Sequence, residues 1–158
     1  MHDINSIVQV IQLMLAPGLM ISACGLLLLG MNNKYSIVVN RIRLLNEERR
    51  KVLSKTGSGE FSYEENVRLE SISLQLEKLT LRVKLVRNAV LSYTIAVAFF
   101  VITSLFIGIQ YFAMINLNIL VTVFFLIGML SVLVGVLYAA IETREGYKII
   151  QLEVKIDE

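Results

Sequence analysis

AVLSYTIAVAFFVITSLFIGIQYF, residues 89–112, and ILVTVFFLIGMLSVLVGVLYAAI, residues 119–141, decide how this chain is read. Between Ala89 and Ile141 there is no Asp, Glu, Lys, Arg or His, and only a short polar knot at Asn116 and Asn118 interrupts the apolar run. A hydrocarbon core of about 30 Å takes roughly 20 apolar residues in helical form. The stretch therefore predicts two membrane spans, about 89–112 and 118–141, joined by a tight turn.

Outside it, the charge is segregated. Apart from Asp3, every charged residue falls between Lys34 and Arg87 or in the tail from Glu142. A soluble chain of 158 residues would spread its charge along each element to coat the outer faces, and would be less apolar than 56%. A mean hydropathy of +0.69 agrees with a membrane class. The formal net charge of +2 is too small and too evenly balanced to indicate nucleic acid. One cysteine, Cys24, and one histidine, His2, exclude a disulfide framework and make a Cys- or His-ligated metal centre a poor expectation.

Ile4 to Met31 reads as a further span, first in chain order, about 4–31. Its Ile21-Ser22-Ala23-Cys24 is similar to a lipoprotein cleavage site. No basic region precedes it, however, and the apolar run continues past Cys24 as GLLLLGM, so a retained span is expected. Asn5, Gln9 and Gln12 share one helical face with Ala16. Pro17-Gly18 follows and predicts a kink, because proline removes a backbone donor. Gly18, Ser22 and Gly25 make a small-residue face suited to close helix approach, as do Gly128, Ser131 and Gly135 on the last span. The amides either bond neighbouring helices or line a water-filled path in an oligomer, since amides in a bilayer need partners.

From Asn32 the polarity changes and the helical period does not. Tyr35, Val38, Ile42, Leu45 and Val52 recur at helical spacing, so the first span is predicted to continue as an amphipathic helix. Thr56-Gly57-Ser58-Gly59-Glu60 is a turn composition; it is no phosphate loop, having neither a preceding strand nor a following Lys-Ser/Thr. Ser62 with Glu65 forms a capping box for the next helix. That helix carries Leu69, Ile72, Leu76, Leu79, Val83 and Val86 in an uninterrupted three-four repeat, and Val67, Leu74 and Leu81 on its opposite side. One seam suits an antiparallel hairpin, about 32–88 with its turn at 56–62. The other calls for the tail or a second copy, which is the sequence argument for a homo-oligomer. Such a stalk would project about 35 Å at 1.5 Å per residue.

The N-terminal segment and the 113–118 turn carry no Lys or Arg, whereas the stalk and tail carry all of them. The positive-inside rule then places the N-terminus outside and the stalk and C-terminus in the cytoplasm. Glu142 is expected to make an interfacial ion pair with Lys34, Arg41 or Arg87. Arg41, Arg43, Lys84 and Arg87 form a basic cluster suited to anionic lipid headgroups. The tail, 142–158, fits either a strand, through Ile150, Leu152, Val154 and Ile156, or a helix continuing from the last span; helix is favoured by continuity.

Ile11-Gln12, Leu15-Ala16-Pro17, Gly25, Leu27-Leu28 and Arg41-Ile42-Arg43 stand in an order that resembles the bacterial membrane proteins classed as domain of unknown function 2721. Arg82, Arg87 and Ala89 fit that family's approach to the second span, and Glu142 its acid after the third. One departure is Asn40, where the family often carries Asp before the Arg-Ile pair. The resemblance implies three spans and a cytoplasmic helical region in a bacterial inner membrane, and it implies no activity.

The expected fold is thus an all-α integral membrane protein. Three transmembrane helices are predicted, the first and second extended into a cytoplasmic antiparallel, coiled-coil-like stalk, with a short cytoplasmic C-terminal helix. No acid lies inside the spans and no nucleophile–base set is evident, so an enzyme, a cofactor and a proton-coupled transporter are not expected. Two function classes remain. One is a homo-oligomeric scaffold acting through its stalk. The other is a homo-oligomeric ion channel lined by the Asn5/Gln9/Gln12 face or by the third spans, its basic inner mouth favouring anions.

Overall fold

A computed structural model describes the backbone of residues 2–55 and 62–156 and the side chains of residues 7–54 and 62–146. The chain forms three long helices: α1 (His2–Lys55), α2 (Tyr63–Ala113) and α3 (Asn118–Ile156). All three are long and apolar enough to cross a membrane. The residues after Glu142 continue α3 to Ile156 rather than forming a strand or a separate helix. Most of the turn predicted at 56–62 lies outside the described residues; its last residue, Ser62, offers its backbone N–H to the Glu65 carboxylate at 3.1 Å and so caps α2. Pro17 lies inside α1, which is helical without interruption through Gly18.

Tertiary contacts divide the chain into two units, Met1–Met31 with Asn88–Tyr138, and Asn32–Arg87 with Ala139–Glu158. In the first unit α2 is the central helix: 28% of its most apolar stretch is buried, against 11% in each of α1 and α3. Cys24 of α1 packs with Ala96 and Phe100 of α2, and Met20, Ile21, Phe125 and Val132 close around them. Phe100 and Phe125 stack at 5.5 Å between centroids, a tilted geometry favourable for aromatic rings. The outward positions are themselves apolar, among them Leu19, Leu26, Leu105 and Leu130. Ser92, Thr94, Thr103, Ser104, Thr122 and Ser131 all donate to the carbonyl four residues back, so their hydroxyls are satisfied within their own helices.

The small residues divide sharply. A Cβ built on Gly135 would lie 2.6 Å from the Tyr93 ring, and one on Gly128 would lie 2.8 Å from the Phe100 ring. These two glycines are the seats of α2's largest buried rings. Gly18 and Gly25 have nothing within 4 Å of the same position, and Ser22 is exposed, bonding only the Gly18 carbonyl. Ser131, between the glycines of α3, is half-buried.

The α2–α3 connection turns through Met114, whose φ is 52°, a left-handed conformation normally left to Gly or Asn. Asn116 then accepts the Asn118 N–H through its side chain, and the Val121 N–H reaches the Leu117 carbonyl at 3.0 Å. This is an Asx turn leading into a capped helix start.

In the second unit Val38 and Leu45 of α1 pack with Ile72 and Leu79 of α2, and Ile42, Leu76 and Val83 flank them. Val86 is buried and Leu69 half-buried, so the Leu69–Val86 seam is the one that closes. Val67, Leu74 and Leu81 stay 49%, 54% and 57% exposed. Glu48 accepts two hydrogen bonds from Arg68 at the surface of this pair.

Gly135→Ala is expected to cost about 1–3 kcal/mol, the usual penalty for overpacking a buried ring. Gly25→Ala, facing open space, should be neutral or slightly stabilising. Thermal unfolding of both variants in detergent, followed by circular dichroism, checks the contrast.

Candidate functional site: a shared carboxylate

Glu142 is the first charge after the long apolar run, and its residue is fully buried. The α-helical period places Glu142 and Gly146 one turn apart on the same face of α3. That face receives Arg82 from α2. Its Nε and Nη2 both donate to Glu142 Oε1, at 3.1 and 2.7 Å. Gly146 leaves room for the guanidinium: a Cβ at that position would lie 3.1 Å from Arg82 Nη2, closer than ordinary contact. On the other side Lys34 of α1 donates to Glu142 Oε2 at 2.9 Å and to Thr143 Oγ1 at 3.2 Å. The Thr143 hydroxyl in turn donates a hydrogen bond to the Ala139 carbonyl.

One carboxylate thus ties all three helices. Burial alone would push the Glu142 carboxyl up. The hydrogen bonds from Arg82 and Lys34, with their charges, outweigh that and hold it below the ordinary carboxylate value. The Lys34 side chain is 44% exposed, so its contribution is partly screened, while Arg82 at 24% is the better sheltered partner. With two cations on one acid the node keeps an excess positive charge. Its observed contacts are charge-assisted hydrogen bonds that hold one carboxylate between two cations.

Lys34 is one of the partners expected for Glu142, and Arg82 is a second partner outside that expectation. Arg41, Arg43 and Arg87 are exposed and make no ion pair with Glu142. A signal was available: Arg82 immediately precedes the seam residue Val83, a flanking position from which coiled-coil charges reach a neighbour. Among the other expected site residues, Gln9 lines a cavity of about 560 Å³ with Gln110, Tyr111 and Asn118, and Gln12 is exposed away from it. The Asn5 side chain lies outside the described residues. Among the described residues no group of His, Cys, Asp and Glu could hold a metal ion.

The family model described as "Protein of unknown function (DUF2721)" matches residues 14–152. The chain belongs to that family. The match takes in Lys34, Arg82 and Glu142, and also Arg41-Ile42-Arg43 and Pro17. No curated protein and no solved structure matches the chain.

For Glu142 the folded-state pKa is depressed. The stability it contributes is therefore present above the ordinary carboxylate range and lost as pH falls through the lowered value. Glu142→Gln should destabilise at neutral pH by roughly 3 kcal/mol, the lower end for breaking a buried pair, because Lys34 can turn to water. It should also flatten the acid limb of stability. Thermal midpoints of both proteins across an acid titration measure this, and an unchanged acid limb would remove Glu142 as its source.

Proposed function

We propose that this DUF2721-family protein is a non-enzymatic scaffold of the bacterial inner membrane, self-associating through a cytoplasmic antiparallel helical stalk. The observation that carries the reading is the fate of the two seams of α2. The Leu69–Val86 seam is occupied by α1, and Val67, Leu74 and Leu81 remain about half exposed at seven-residue spacing. Apolar residues at that spacing on a polar helix suit a partner helix. Copies inserted in one membrane with one orientation carry their stalks in the same direction, so a second copy meets this seam in register, like residue against like.

The orientation in the proposal comes from the basic residues, which are confined to the stalk and tail. The exposed Arg41, Arg43 and Arg87 suit anionic headgroups of the cytoplasmic leaflet. Within this reading the Glu142 node sets the register of the three helices, so that the free seam is presented in one arrangement. A membrane scaffold needs such rigidity more than it needs any reactive group.

Native mass spectrometry of the protein in nanodiscs tests the proposal. The expected result is an oligomer that Leu74→Glu with Leu81→Glu reduces to monomer while helix content is retained. A monomeric parent protein would overturn self-association, and an oligomer indifferent to the double change would overturn the seam.

A further inference from the structure

The cavity lined by Gln9 lies wholly within the first unit, where α1 passes the α2–α3 connection. At about 560 Å³ it falls in the size range of small-molecule sites. Its polar groups are all uncharged. Gln110 Nε2 donates to Asn118 Oδ1 at 2.7 Å. The Gln110 Oε1 acceptor and the Asn118 Nδ2 donors remain for another molecule. Gln9 brings a further donor and acceptor, and its amide has no hydrogen-bond partner among the described residues. Tyr111 also lines the cavity.

The lining also includes the apolar side chains of Val10, Ile107 and Val121. Leu13 and Met114 also line the cavity and are 57% and 95% exposed, so apolar side chains continue from the cavity onto the outer surface of the unit. The lining holds no charged residue, so a charged ligand would find no counter-charge in it. A neutral headgroup with hydroxyl and carbonyl oxygens would answer the free amides, and a hydrocarbon tail would follow Leu13 outward.

We propose that this cavity binds an uncharged lipid through its headgroup, of the class that joins a free hydroxyl to ester carbonyls, as in diacylglycerol. The proposal rests on the membrane reading of the three helices and not on self-association. Three polar elements converge on the headgroup: the Gln9 amide from α1, the Gln110 carbonyl from α2 and the Asn118 amide from α3.

The test is native mass spectrometry of the full chain released from nanodiscs doped with diacylglycerol, or with phosphatidylglycerol of the same acyl chains. The expected result is a diacylglycerol adduct on the parent protein and a much weaker one with phosphatidylglycerol. Gln9→Leu with Asn118→Leu should weaken the adduct about tenfold or more, as loss of two hydrogen bonds implies. Val121→Phe, which fills the apolar side and leaves every amide in place, should abolish it, with folding checked by circular dichroism. No adduct on the parent protein, equal retention of the anionic lipid, or an adduct that survives Val121→Phe would each overturn the proposal. Displacement of the adduct by free glycerol would do so as well, by assigning the cavity to a soluble polyol.

Discussion

The shared carboxylate of Glu142 is the constraint around which the second unit is arranged. A buried acid is costly unless its oxygens are paired, and here each oxygen has its own cation from a different helix. Moving either Lys34 or Arg82 a turn along its helix would take the cation from one of the two carboxylate oxygens. Apolar contacts alone tolerate a slip of one heptad, because Ile72, Leu79 and Val86 repeat with the same spacing and similar shape. The ion node does not tolerate it. In this unit the apolar seam supplies the attraction, and the charges select one register from several of similar energy.

In the first unit the corresponding selection is made by shape. Tyr93 and Phe100 are among the largest fully buried side chains, and each is seated against a glycine of α3. Rings fit where no Cβ intrudes, so Gly128 and Gly135 define the register of α2 against α3. Between apolar helices in lipid there is no hydrophobic drive to associate, and close packing of this kind is what remains. The same logic accounts for the hydroxyls. By donating to their own backbones they withdraw from competition for interhelical bonds, leaving the Gln9, Gln110 and Asn118 amides as the polar groups with capacity to spare near the α2–α3 connection.

The legible features in the sequence were those that depend on neighbours along the chain. Charge segregation marks the apolar helices, the three-four repeat marks the Leu69–Val86 seam, and Ser62 with Glu65 marks the start of α2. The small-residue faces were less legible. Gly18/Ser22/Gly25 and Gly128/Ser131/Gly135 have the same spacing and composition, yet only the second set receives side chains from within the chain. Lys34 could be named as a partner of Glu142 because it is the first cation after the opening apolar segment. Arg82 was hidden among seam-flanking charges that are otherwise exposed.

By itself, then, the sequence determined three helices fit to cross a membrane, and the apolar stripes from which the buried faces would be drawn. These follow from hydropathy and from a rise and turn per residue that every helix shares. Tertiary structure alone decided that Arg82 joins Lys34 on Glu142, that Tyr93 and Phe100 sit on Gly135 and Gly128, and that Gln9 lines one cavity with the Gln110–Asn118 pair. Each of those placements depends on the rotation of a helix about its own axis and on its slide against a neighbour. A change of one residue turns a face by about 100°, and the rotation is settled by the packing of all three helices together.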